Sequence, residues 1–442
     1  MSTIIRNGTL VTMNSRRDIL RADILIEGDR IKEIGELKGY KAQQEIDAAG
    51  MLVIPGLIQA HVHLCQTLFR GAADDMELMD WLKQRIWPLE AAHDEESLYY
   101  SALLAAAELI SGATTSIIDM GTVRHTDSLF EAVKQSGLRY LGGKCMMDCG
   151  DEVPEKLIDS REKSLQESMD LFERWNGQEQ GRIHYAFCPR FAVSCSEELL
   201  REVSQLSEKF KIPVHSHASE NRGEIRIVEK ERGLRNIFYF EQLGLCHNKV
   251  ILAHCIHINE EEMNILAEKR VNVVHCPASN LKLASGLAPV PALLDMGAQV
   301  SLGADGAPCN NNLSQFMEMR LAALIHKPFY GPTSMPAEKV FEMATLGGAQ
   351  AMGQEKEIGS LEAGKKADLA IVNLEHWHNQ PATHSSVYSQ LVYQALASDV
   401  RATMVDGRFL MLNAALLTID AEAVRINSEK ALERILQRAG LK

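Results

Sequence analysis

What the sequence lacks narrows its possible roles first. None of its 442 residues falls in a run approaching the ~18 consecutive apolar residues that a membrane span needs, so no membrane partner is expected. The start, Met1-Ser2-Thr3-Ile4-Ile5-Arg6-Asn7-Gly8, has no basic segment, apolar middle and small-residue cleavage site of the kind that marks a secretory signal. Positive charge is in deficit: 46 Lys and Arg against 59 Asp and Glu give a formal charge of −13. A phosphate backbone needs a basic patch, so nucleic acid is not an expected partner. The nine cysteines are odd in number and follow no disulfide framework, which fits reduced thiols and a cytoplasmic location. No GxGxxG follows the first long apolar strand, and no GxxxxGK[ST] occurs, so the two common phosphate-cradling loops are absent. Internal repeats and low-complexity tracts are missing too.

What is present is a folded, water-facing composition, 46% hydrophobic and 24% charged. The length suggests two or three domains, or one barrel that uses most of the chain. Residues 3–37 read as short strands: 3–5, 8–13, 23–27 and, after a Gly28-Asp29 turn, the alternating 30–35. From Met51 onward, strand-length apolar runs alternate with helical stretches. Strands are expected near 52–61, 114–120, 138–147, 183–190, 212–217, 249–255, 271–276 and 299–304, with helices such as 94–111, 126–136, 196–209, 259–268 and 313–326 between them. Eight βα units in this span predict an α/β fold, a (β/α)8 barrel over residues 55–357. After a helix at 337–352, residues 367–373 and a hairpin across Asp406-Gly407 return to β structure. The expectation is a composite β-sandwich domain built from 1–54 and 358–442, closed by a terminal surface helix at 419–439.

The chemistry gathers at the strand ends. His61 and His63 are separated by one residue at the end of the first barrel strand, so both point to one face. The fifth strand ends in His215-Ser216-His217-Ala218-Ser219-Glu220, the sixth in His254, the seventh in His275 and the eighth in Asp305. Any one of these has a bland explanation as a hydrogen-bonded strand end. Barrel interiors are filled mainly by branched apolar side chains, so five of eight ends carrying His or Asp point instead to a metal site at one mouth.

These residues resemble the amidohydrolase superfamily, and within it the purine and triazine deaminases. The resemblance runs through Pro55-Gly56 with His61-Val62-His63, Trp87-Pro88-Leu89-Glu90, His217-Ala218-Ser219-Glu220 and His275-Cys276-Pro277-Ala278-Ser279-Asn280. It continues in Gly303-Ala304-Asp305-Gly306, Asn310-Asn311-Asn312-Leu313 and Gly359-Ser360-Leu361-Glu362-Ala363-Gly364-Lys365-Lys366-Ala367-Asp368. Its nearest branch is the deaminases of 5′-modified adenosines such as methylthioadenosine and S-adenosylhomocysteine.

The resemblance implies that His61, His63, His217 and Asp305 hold one divalent metal, zinc first with iron or manganese as alternatives, that activates a water. It implies that Asp305 takes a proton from that water, His254 orients it, and Glu220 protonates the substrate ring. An aromatic amine leaves poorly unless both ring and leaving nitrogen receive protons. Glu90 is expected at the ribose hydroxyls, with Trp87 and Arg190 lining the substrate. The implied partner is a small purine-type molecule, and a homo-oligomer is compatible with the pattern. One departure stands out: Cys188-Pro189-Arg190-Phe191-Ala192 resembles guanine deaminases, since an arginine fork suits an oxo group. Deaminases of guanine, 8-oxoguanine or a pterin, and chlorotriazine hydrolases, therefore remain open, as does an idle metal-binding barrel.

Among the other candidates, His215 forms a second HxH with His217. Lys144 ends the third strand, where a carboxylated lysine would matter only to a two-metal site, and one metal is expected. His257, His275 and His326 are expected to be structural or exposed, His275 at most supporting a ligand, and His376, His378 and His384 to lie away from the mouth.

Overall fold

A computed structural model describes residues 2–150, 152–382 and 385–441, so His384 lies outside the described residues. Both ends of the chain contribute to one nine-stranded sheet. Ser2–Val11 runs antiparallel to Ile19–Glu27, which turns at Gly28 into Arg30–Gly35. The two expected strands at 3–5 and 8–13 are one strand, irregular between Ile5 and Gly8, where Asn7 takes a φ of 61°. From the other end come Leu369–Val372, Val400–Val405 and Arg408–Leu412. The last two join across Asp406 and Gly407, both at positive φ, as a two-residue hairpin turn requires.

Leu52–Pro55 ties the two ends together, parallel to the first strand and antiparallel to Leu369–Val372. The apolar run at 52–61 is therefore two strands rather than one. Leu52–Pro55 stays in this sheet, and Leu57–His63 opens the barrel. The break falls at Gly56, where a Cβ would collide with the side chain of Thr115 on the second barrel strand. Both halves are wholly buried, so hydrophobicity carried no sign of the break.

The barrel strands are Leu57–His63, Thr114–Asp119, Arg139–Gly142, Ile183–Tyr185, Val214–Ala218, Val250–His254, Asn272–His275 and Gln299–Leu302. All pair in parallel. Phe187 bridges the fourth strand to Val214 of the fifth. The ring closes where Asp305 and Gly306, beyond the eighth strand, pair with Val62 and His63 of the first. The fold is a (β/α)8 barrel, and its closure alone puts Asp305 beside the histidine pair.

Two contacts seat the barrel on its surroundings. Arg139, at the start of the third strand and almost fully buried, bonds Asp368 at 2.8 and 3.1 Å and Asp406 at 2.6 Å, both in the sheet built from the chain ends. The final helix, Ala421–Ala439, is more than the expected surface helix. Its Ala431 and Ile435 are wholly buried, while Arg438 and Arg434 bond Asp94 and Glu96 at 2.5 and 2.9 Å. It thereby clamps the N-terminus of the barrel helix Glu95–Ser111, whose first turn Asp94 caps by accepting the Ser97 N–H. Among the described residues no helix is long and apolar enough to cross a membrane.

Candidate active site

At the C-terminal mouth of the barrel the structure brings His61, His63, His217, Glu220, His254 and Asp305 together, each less than a tenth exposed. Ser219, His254 and Asp305 have φ values of 53°, 74° and 63°. Side chains other than glycine adopt this region at a cost on the order of 1–3 kcal/mol, and such strain gathers at functional sites.

The imidazoles converge with ring nitrogens turned inward. A neutral imidazole has one N–H and one lone pair. His217 Nδ1 lies 2.7 Å from the Arg190 carbonyl oxygen and must donate to it, so Nε2 carries the lone pair. That Nε2 faces His63 Nε2 at 3.2 Å. His61 Nδ1 is engaged by His215 Nε2 at 2.8 Å, and its Nε2 is buried without a hydrogen-bond partner. Asp305 Oδ1 comes within 3.3 Å of His61 Nε2 and 3.4 Å of His63 Nε2. Ligand atoms of His61, His63 and His217, and of His61, His254 and Asp305, fall within 4.8 Å of one another. Burial holds His61 below its usual range and His63 and His217 well below it, which keeps the rings neutral as metal ligation requires. Asp305 stays ionised: burial would raise it, but His61, His254 and His63 outweigh that and hold it well below the usual carboxylate range. Three neutral nitrogens and one carboxylate around a buried gap fit a divalent cation.

Beside this cluster lies a second group suited to carrying protons. Burial pushes the Glu220 carboxyl up to about 7, so a substantial fraction is protonated at neutral pH. His254 Nε2 stands 3.6 Å from Glu220 Oε2 and 3.9 Å from Asp305 Oδ2. Burial would lower His254, but the two carboxylates outweigh it and raise it.

The residues expected at the substrate fall differently. Arg190 donates to Glu90 at 2.6 and 3.3 Å, and Gln66 Nε2 donates to the same carboxylate at 2.8 Å. Arg190 and Gln66 line the cavity above the cluster, with Glu90 behind them. Gln66 Oε1 is buried and has no partner among the described residues. Trp87 is not at the mouth. It is buried in the same apolar cluster as Trp81, Leu78, Leu82, Phe191 and Leu283, which line the cavity where Trp87 does not. A wide helical turn at Leu82–Ile86 separates the two tryptophans and shifts which face each presents. Nothing in the local sequence marks that turn. The cavity is about 30 Å³, room for a water rather than a purine.

The remaining candidates lie apart from the cluster. Lys144 bonds Asp159 and Glu167 at 2.8 Å each, as a free amine in an ion-pair group. His275 is buried against His326 with its ring centroid 5.3 Å away, and both its nitrogens lack partners among the described residues. His257 bonds the Ser285 carbonyl, and His376 and His378 approach Asp399. Gln66, Trp81, His215, Ser279 and Asn280 were not expected to act here. Ser279 and Asn280 sit inside a motif already singled out, and His215 was weighed as a ligand rather than as a support.

The amidohydrolase family model matches residues 52–410. A 5-methylthioadenosine/S-adenosylhomocysteine deaminase of Moorella thermoacetica is 39% identical over 436 residues, covering 98% of this chain and 99% of that protein. A 5′-deoxyadenosine deaminase of Methanosarcina acetivorans is 39% identical over 438 residues, covering 99% of both. The crystal structure of an adenosine deaminase from Xanthomonas campestris with bound zinc superposes with a TM-score of 0.92 at 31% identity, covering 98% of each chain.

Proposed function

The chain belongs to the amidohydrolase family, and on that premise we propose that it is a metal-dependent deaminase of 5′-substituted adenosines, releasing ammonia and leaving the inosine analogue. It is a hydrolase of C–N bonds in cyclic amidines. The catalytic unit is the barrel of residues 55–357. His61, His63, His217 and Asp305 would hold one divalent metal, zinc in the first instance. When bound, the metal lowers the pKa of a water from 15.7 toward ~7 and so makes it a nucleophile at neutral pH.

The rest follows from the side chains. Asp305 Oδ2, turned toward His254 and away from the histidine pair, accepts a proton from the attacking water. His254 Nε2 hydrogen-bonds that water and directs it at the amino-bearing carbon. Glu220, protonated in part at neutral pH, donates to the neighbouring ring nitrogen and makes that carbon electrophilic. The proton on Asp305 then passes to the leaving amine, ammonia departs as a neutral molecule, and the proton of the new hydroxyl returns to Glu220 as the carbonyl forms. The apolar wall of Leu78, Trp81, Leu82, Phe191 and Leu283 excludes bulk water and must open for a nucleoside to enter. The eight buried cysteines form no disulfide among the described residues, which supports a reducing, cytoplasmic setting. A small purine-type molecule is the partner this site suits.

The observation that carries this reading is the pairing of a buried cluster of His61, His63, His217 and Asp305 ligand atoms with a buried, partly protonated Glu220. Gln66 Oε1, on the cavity wall and without a partner among the described residues, favours a second reading, an oxo-purine such as guanine, because it offers an acceptor to that ring's amine, while Arg190 spends its fork on Glu90. Ammonia release from 5′-methylthioadenosine, S-adenosylhomocysteine, 5′-deoxyadenosine and guanine tests both. Turnover of the adenosine derivatives supports the first reading; turnover of guanine alone overturns it.

A further inference from the structure

The seventh barrel strand supplies neither a metal ligand nor a proton carrier, yet its loop touches every group that handles protons. Asn272–His275 lies between the sixth strand, which ends in His254, and the eighth, which leads to Asp305. Directly after it, Pro277–Lys282 forms one and a half turns of helix, with Pro277 at the first position. Neighbouring residues of a helix point about 100° apart, so Ser279 and Asn280 can serve opposite sides. Ser279 Oγ is 2.6 Å from Asp305 Oδ2. Asn280 Oδ1 is 2.8 Å from His254 Nδ1. Just past the helix, Ser285 Oγ lies 3.5 Å from Glu220 Oε1, at the limit of a hydrogen bond.

The support is itself anchored. Glu318, wholly buried on the helix after strand eight, accepts the Ala278 N–H at 3.1 Å. Lys282 bonds the Pro308 carbonyl at 2.8 Å and Asp74 at 2.5 Å. Ser279 and Asn280 are themselves buried, at 0% and 1% exposure.

We infer that Ser279 and Asn280 are positioning residues for proton transfer: Asn280 fixes which nitrogen of His254 faces the reacting water, and Ser279 follows the proton on Asp305. An amide oxygen can only accept, so a proton sits on His254 Nδ1, and in the neutral ring the lone pair is left on Nε2, which faces Glu220 and Asp305. Ser279 marks out the oxygens of Asp305. Oδ1 takes the Gly306 N–H at 2.7 Å and faces the histidine pair, while Oδ2 takes the Ser279 hydroxyl. A hydroxyl donates to a carboxylate and accepts from a carboxylic acid, so this bond survives in both states of Asp305 and needs only a rotation of the hydroxyl.

The inference rests on the deaminase reading above, and its test separates the two. Ser279→Ala and Asn280→Ala in the zinc-loaded enzyme should each lower kcat by roughly 10- to 100-fold, with KM within a few-fold of the parent and metal content unchanged. Ser279→Thr and Asn280→Asp, which keep the hydroxyl and the acceptor oxygen, should recover most of the loss. A loss carried by KM, a fall in bound metal that tracks the fall in activity, or no recovery in the conservative variants overturns it. Nitrogen-15 NMR of the imidazoles, with His254 assigned by its absence in His254→Asn, reads the tautomer without any substrate. Read at a pH where the ring is neutral, the parent should show the proton on Nδ1 and Asn280→Ala should lose that preference; a neutral ring with its proton on Nε2 in the parent overturns the inference whichever substrate the enzyme takes. Failure of the parent to release ammonia from any adenosine derivative would count against the deaminase reading alone.

Discussion

Arg190 and Glu90, a hundred residues apart in sequence, meet through two hydrogen bonds at 2.6 and 3.3 Å, each no more than 7% exposed. The pair binds the loop after the fourth strand to the helix that follows the first. Removing one partner strands a buried charge, which costs about 3–5 kcal/mol. Arg190→Met and Glu90→Gln should each lower the urea midpoint of the zinc-loaded enzyme markedly, and the double variant should lose less than the sum. Additive losses would mean that the two charges do not support one another.

Glu220→Gln keeps the shape of the side chain and removes its proton. Metal content should stay at the parent level, while ammonia release falls by about 10²- to 10⁴-fold, the usual worth of a general acid. Loss of metal instead would make Glu220 a ligand.

His215 stands behind His61, with its Nε2 2.8 Å from His61 Nδ1. Side chains that orient a ligand are worth about 10- to 100-fold in metal affinity or activity. His215→Ala should lose metal to a chelator at correspondingly lower concentration, whereas His326→Ala, away from the cluster, should not differ from the parent. Equal behaviour of the two variants would show that His215 does not orient a ligand.

The clamp at Asp94 gives a pH signature. Burial would raise this carboxyl, but the Ser97 N–H and Arg438 outweigh it and hold it well below the usual range. A folded-state pKa below the unfolded value of ~3.9 adds stability that is full above that value and is lost as pH falls through the folded pKa. Arg438→Ala should therefore melt below the parent at pH 7, and the gap should narrow as pH drops toward 3. A gap of constant size would place the effect in packing rather than in this ion pair.

The barrel was legible because its strands end abruptly in polar residues after apolar runs, and the candidate site because five such ends carry histidine or aspartate, with the ligand set added by the family resemblance. Closure of the eighth strand on the first then needed no further information. The break at Gly56 was hidden, since Leu52–Pro55 and Leu57–His63 are equally apolar and only the Thr115 contact separates them. Trp81 was missed and Trp87 misplaced because a wide turn between them rotates the helix. The pairing of Arg190 with Glu90 could not be read from either motif, because each alone looks free to meet a ligand. Ser279 and Asn280 were visible as a motif, but their use depends on lying between strands six and eight, which is a fact of topology.

The central claim is one metal serving one set of proton carriers in the mouth. Zinc titrated into the stripped enzyme, with ammonia release from 5′-methylthioadenosine followed at each addition, tests it most directly. Activity should rise in proportion to bound zinc and level off at one equivalent per chain. Full activity in the stripped enzyme, or a rise that continues to two equivalents, would contradict it.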